Sequence, residues 1–165
     1  MKKAQVWSVD FVVGISLFSI LVVITAYFLL TSNTSDDFKF MHREALYLSN
    51  TIMSPGTPGD WNSDTVVVPG LISNGRLDLD KLSGARALDY DELKSFYAVR
   101  ADFAIFFRNK TSFLEVGGAC GVGYNLPTID CEPNLSAVVY DDLIVMNRFV
   151  PINNSIKNVV LYVWT

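Results

Sequence analysis

The sequence predicts an α+β fold in which one long N-terminal helix packs on a four-stranded antiparallel sheet. Three features predict it. Phe11 to Thr31 runs for 21 residues without a charge, and residues 38–52 carry apolar side chains at helical spacing. After Arg100 the apolar period shortens from about 3.6 to about 2, the alternation of strands. The composition, 50% hydrophobic and 18% charged, excludes a disordered chain.

The charge-free run FVVGISLFSILVVITAYFLLT makes a helix of roughly 31 Å, about the hydrocarbon thickness of a bilayer. It is longer than the apolar core of a cleavable secretory signal, and TSNTSDDF after it has no small-x-small cleavage pattern. Membrane lipid is its expected surrounding. Lys2 and Lys3 before the run and Asp36 and Asp37 after it place the N-terminus inside and the rest of the chain outside. Lys39 and Arg43 weaken this asymmetry without reversing it. Trp7 suits the interfacial layer, and Gly14, Ser16 and Ser19 are small enough for close helix approach, or are background composition.

Phe38, Met41, Ala45, Leu48 and Ile52 then recur at steps of 3, 4, 3 and 4, one face of a helix. Between Ile15 and Ser54 there is neither Gly nor Pro. One rod is therefore expected from about Val6 to Met53, roughly 70 Å long, with residues 11–31 apolar all round and residues 38–53 apolar on one side. A break with a fresh N-cap at Ser35 or Asp36 is the alternative. Pro55-Gly56-Thr57-Pro58-Gly59 ends the rod, and residues 54–165 are enough for one small domain.

In that domain Val66–Leu71 is a short extended piece that Pro69 confines to an edge or loop. Asn74-Gly75 is a turn, and Asp78–Leu82 and Tyr90–Tyr97 are short helices, the second capped by Asp89. Ala101–Arg108 and Thr111–Val116 flank Asn109-Lys110 as a β-hairpin. Ala137–Arg148, bulged at Asp141-Asp142, and Asn158–Trp164 supply the other two strands. The amphipathic half of the rod is expected to cover one face of this sheet.

Only two cysteines are present, Cys120 and Cys131, framing CGVGYNLPTIDC. An outside domain lies in an oxidising compartment, which favours a disulfide over two buried thiols, and so short a loop gains about 3 kcal/mol in the loop-entropy account. Sequons begin at Asn33, Asn109, Asn134 and Asn153, candidate glycosylation sites if the domain is outside. The 13 basic residues are scattered and the net charge is −4, which excludes the dense basic face that nucleic acid requires. No cofactor, metal or active site is expected. GGACGVG lacks the Lys-Ser/Thr of a phosphate loop, and His42, the single histidine, lies on the rod without a second ligand nearby. The carboxylates fall in helix starts and turns, where solvated capping is the default, and without calcium-loop spacing.

A membrane rod continuing into an amphipathic rod, then a loop region and an antiparallel sheet, resembles the layout of type IV pilins. The first ten residues strengthen the likeness. Lys3-Ala4-Gln5, then Ser8 and Asp10, resemble the class III signal of archaeal pilin-like proteins, roughly K-(G/A)-Q-x-S-x-E, with Trp7 as one extra residue and Asp in place of Glu. The motif covers about 30 residues; over the rest the likeness is architectural. It implies cleavage between Ala4 and Gln5 by a prepilin peptidase on the cytoplasmic side. A carboxylate such as Asp10 at the edge of an apolar run is costly to bury unpaired. The resemblance implies that the new ammonium at Gln5 of a neighbouring copy meets it; a hydrated place in the headgroup layer is the alternative.

The expected function is accordingly structural, a subunit of a type IV pilus-like filament anchored in the membrane before assembly. Its partners are copies of itself and the pilus assembly machinery, with Asp10, Phe11, Gly14, Leu17, Phe18, Leu21, Ile24 and Phe28 as assembly residues. Two alternatives stand: a minor pilin or pseudopilin of a secretion system, and a single-pass anchored domain that binds a ligand outside and never polymerises.

Overall fold

A computed structural model describes residues 3–152 and 155–165, with side-chain surroundings for residues 9–30, 37–152 and 155–165. Two compact units are distinguished, Met1–Lys39 and Phe40–Thr165. Helix α1 spans Lys3–Ile52 without interruption, so no break forms at Ser35 or Asp36. Four of the five stripe residues, Met41, Ala45, Leu48 and Ile52, are buried in the second unit; Phe38 belongs to the first unit and stays half exposed.

After α1 the chain turns back on the helix end. Leu71 N–H donates to Ile52 O and Ile72 N–H to Ser54 O, satisfying carbonyls that a helix C-terminus leaves open. Val68 bridges Thr57 in the same return. The approach is so close that a Cβ on Gly70 would collide with the backbone of Ser54 and Gly56. Strands β1 (Ile72–Ser73) and β2 (Arg76–Leu77) follow, joined by Asn74-Gly75. Both turn residues have positive φ, 52° and 72°, the two-residue turn that matches strand twist.

Helix α2 runs over Leu79–Ala87, five residues beyond the expected end at Leu82, because Gly84 packs under the Trp61 ring and Ala85 is buried. Asp78 caps it, accepting from the N–H groups of Asp80 and Lys81. Helix α3 spans Tyr90–Tyr97, capped by Asp89. There follow β3 (Asp102–Arg108), β4 (Gly121–Gly123), a small hairpin of β5 (Thr128–Ile129) and β6 (Glu132–Pro133), and a 3₁₀ turn at Leu135–Ala137. Strands β7 (Leu143–Ile152) and β8 (Ser155–Trp164) end the described chain.

The main sheet is four-stranded and antiparallel throughout, in the order β4-β3-β8-β7. Two of its members differ from the expected ones. Thr111–Val116 forms no strand: the chain does reverse at Asn109, but pairing stops at one bridge, Arg108 to Phe113. The free edge of β3 is taken instead by β4, whose glycines fit where a side chain does not. A Cβ at Gly121 or Gly123 would lie 2.7 Å from a β3 carbonyl. Residues 137–142 are likewise outside the sheet. Asp141 and Asp142 precede β7 and form no bulge, their backbones bonding to Thr165.

The rod covers one face of the sheet, and the opposite face is covered in part as well. Phe103, Ile105, Phe107, Val159, Leu161 and Val163 share a core with the stripe of α1, with Leu82 and Ala85 of α2 and with Leu93 and Tyr97 of α3. The alternate residues Ala104, Phe106, Val160, Tyr162 and Trp164 form a second core under the segment 113–138. Hence β3 is a continuous apolar run, the pattern of a strand buried on two sides.

Candidate functional site

Val9–Leu30 is 22 residues long with mean hydropathy 2.5, long and apolar enough to cross a membrane, and none of it is buried within the chain. Sixteen large apolar side chains between Val9 and Leu30 are exposed. At roughly 1 kcal/mol or more for each, leaving them in water costs on the order of 20 kcal/mol, more than the whole stability of an ordinary domain. This surface therefore requires lipid or protein around it. Two of its hydroxyls bond within the helix. Ser16 Oγ donates to Val12 O and Thr25 Oγ1 to Leu21 O, each at 2.8 Å.

Phe11, Leu17, Phe18, Leu21, Ile24 and Phe28 are 50–70% exposed, and a Cβ on Gly14 would meet nothing within 4 Å. Their spacing of three and four residues puts them along one side of the helix. Asp10 is exposed at the start of this stripe. The side chains of Ala4, Gln5 and Asn33, and all of Asn153, lie outside the described residues.

In the second unit Cys120 and Cys131 form a disulfide across a separation of 11 residues. Asn109 and Asn134 are exposed; Asn134 Oδ1 accepts from Ser136 N–H, which leaves its amide nitrogen clear of that bond. His42 is exposed on α1. Among the described residues no three His, Cys, Asp or Glu side chains are grouped so as to hold a metal ion. Clefts of about 300 Å³ beside Phe106, Gly121 and Tyr124, and about 480 Å³ beside Asn50, Arg148 and Phe149, are lined by backbone, apolar side chains and a few polar groups, Asn125 and Thr128 in the first and Asn50 and Arg148 in the second.

The polar groups that position this unit escaped the sequence reading. The Arg86 guanidinium donates to four carbonyls, Val116 O, Gly117 O, Ala119 O and Gly121 O, at 2.7–3.2 Å. Burial lowers its affinity for the proton, opposed by the charge of Glu115. Glu44 on α1 accepts from the N–H groups of Arg100 and Ala101, fixing the entry to β3. Lys81, buried, donates to Pro55 O and Gly59 O. Asp102 accepts from Lys94 Nζ and the Tyr90 hydroxyl, and burial raises the Tyr90 phenol well above its usual value. Arg148 Nε donates to Ser49 Oγ, tying β7 to α1. Long-range partners of this kind leave no periodic trace; only the αL and close-approach glycines hinted that the 117–123 loop was built to be held.

No family of known proteins, no curated protein and no solved structure matches this chain, so any reading of the site rests on its own residues.

Proposed function

We propose that this chain is a structural subunit of a type IV pilus-like surface filament, held in the membrane by Val9–Leu30 until it assembles. The observation that carries the reading is the wholly exposed apolar helix, in one chain with a well-packed, disulfide-closed unit of mixed helix and sheet. In lipid, helix association gains little from the hydrophobic effect, so packing of Phe11, Leu17, Phe18, Leu21, Ile24 and Phe28 against neighbouring copies supplies the attraction. Gly14 permits close approach. Asp10 sets register by meeting the ammonium exposed when a prepilin peptidase cuts between Ala4 and Gln5, since an unpaired carboxylate there opposes insertion into an apolar bundle. The second unit faces the exterior and provides the filament surface.

Intact-mass measurement of native protein tests the processing step, with Gln5 expected at the mature N-terminus. Asp10→Ala is expected to give stable, membrane-held subunits that no longer sediment as filaments. Native protein that stays monomeric in the bilayer with residues 1–4 attached refutes the proposal in favour of an anchored, non-polymerising domain.

A further inference from the structure

The outer end of the main sheet carries an uncovered apolar groove, and a sequon asparagine forms part of its wall. The groove, about 380 Å³, is lined by Arg108, Asn109, Lys110, Phe149, Ile156 and Asn158. Strand register explains the grouping. Arg108 pairs with Asn158, and Asn158 with Phe149, a transverse row over β3, β8 and β7. Ile156 stands two residues from Asn158 on the same face. Phe149 is 75% and Ile156 71% exposed, among the most exposed large apolar side chains of this unit. Where β3 ends, Asn109, Lys110 and Thr111 rise as an exposed turn, closed by Asn109 N–H to Ser112 O at 2.8 Å.

Asn158 contributes a polar side chain to this floor. Asn158 donates through Nδ2 to Asn147 Oδ1, but its own Oδ1 is buried without a hydrogen-bond partner among the described residues. It is the one such side-chain atom found there, and it belongs to a residue of the groove. A sugar carried by Asn109 suits this floor, since the sequon asparagine is itself part of the wall and Phe149 and Ile156 are exposed beside it. The C–H face of a pyranose packs on an aromatic ring and on aliphatic side chains, while its hydroxyls donate to amide oxygens.

We propose that Asn109 is N-glycosylated and that its glycan folds back over Phe149 and Ile156. The inference rests on the outward placement of this unit proposed above. The donor is a sugar linked to a lipid phosphate. Asn109 Nδ2 forms the bond to the anomeric carbon as the bond from that carbon to the phosphate oxygen breaks. The phosphate leaves with the electron pair, and the amide gives one proton to the base of the transferase. The Thr111 hydroxyl is the sequon group that recognition by that enzyme requires.

Glycopeptide mapping and hydroxyl-radical footprinting of the full chain from its own cells test this, native protein against Thr111→Ala, which keeps Asn109. The expected result is a glycan on the native Asn109 peptide, none in Thr111→Ala, and several-fold greater labelling of Phe149 in the variant, with Val139 as an unchanged reference. Bare Asn109 beside a glycosylated Asn134 overturns the inference and leaves the outward placement intact. Every sequon bare, with the unit cut by external protease on whole cells, does the same. Every sequon bare and the unit shielded from that protease overturns the outward placement as well. Equal labelling of Phe149 in both proteins refutes the covering role. In particular, protection that persists without the glycan assigns the groove to a second copy or a separate ligand.

Discussion

Replacing Arg86 by alanine isolates what holds the edge strand β4. The guanidinium makes four bonds to the carbonyls of residues 116–121 and has no equivalent elsewhere in that loop. A hydrogen bond to a charged group contributes about 1.5–3 kcal/mol where it is desolvated. Gly117 is exposed and Ala119 and Gly121 are half-buried, so water recovers part of that for the freed carbonyls. A loss of about 2–4 kcal/mol is the expected balance, a fall in melting temperature of roughly 10 °C for a unit of this size. Arg86→Lys should recover less than half, because one ammonium cannot span a planar fork of carbonyls. The assay is thermal unfolding of the full chain in mild detergent, with hydrogen exchange read on peptides covering 116–124. Exchange there should quicken before the rest of the sheet opens, since Tyr124 N–H to Phe103 O closes the same edge. A fall of under about 2 °C with unchanged exchange would show that the Cys120–Cys131 disulfide and the β3–β4 pairing hold the loop unaided, and the argument fails.

Two further predictions separate the halves of α1 and the role of a cap. Leu48→Ala, at a fully buried site, should cost about 2–5 kcal/mol in the melting of the second unit, whereas Leu17→Ala should leave that melting unchanged and lower only the yield of sedimentable filaments. Asp78→Ala should cost about 1 kcal/mol at pH 7 through loss of the α2 cap. The Asp78 carboxyl is held below its ordinary 3.8, first by its hydrogen bond with Ser73, then by the N–H groups it caps. Its contribution is thus complete above the unfolded value and vanishes as pH falls through the folded one, so wild type and variant should converge in melting scans taken progressively below pH 4.

How much of this was legible depends on whether the signal was local. The stripe Phe38, Met41, Ala45, Leu48, Ile52 is a periodic pattern that names a buried face, and four of its five residues are in the core, Phe38 staying half exposed. Asn74-Gly75 is a turn wherever it stands between extended residues, and it makes one here. Thr111–Val116 looked like a strand because TSFLEV has strand composition beside a turn, but composition does not say which segment wins an edge. Gly121–Gly123, poor strand formers, win it because their missing side chains allow backbone contact over Phe103 and Phe106. Phe113, released from the sheet, packs on the second face against Phe106 at 6.3 Å. Likewise, β3 reads AIFF without alternation, a sign that both its faces are covered, where the expectation named the cover of one face alone. Arg86, Glu44 and Asn158 are invisible for a different reason. Each finds its partners more than ten residues away, and nothing in a linear spacing tells a clamp from a solvated charge.

With Val9–Leu30 in lipid, as proposed, one continuous helix has to satisfy two solvents, and that constrains what sets each half. From Met41 to Ile52 the reference state is water, and every apolar atom removed from it stabilises the unit; residue size and burial decide the gain. From Val9 to Leu30, on the proposed assembly from a membrane, the reference is hydrocarbon, where a leucine against lipid is already satisfied, and only shape fit, hydrogen bonding and charge pairing distinguish neighbours. The sequence differs in the same sense. The second half confines its apolar residues to one face and needs few of them. The first half is apolar on all sides, and its hydroxyls at Ser16 and Thr25 bond back to the helix's own carbonyls. In that setting Asp10 is the one residue of the described span whose placement carries a large electrostatic cost if left unpaired. On the filament proposal, orientation and register of the bundle would fall to a single charge, while the many apolar side chains contribute attraction without specifying where along the helix it acts.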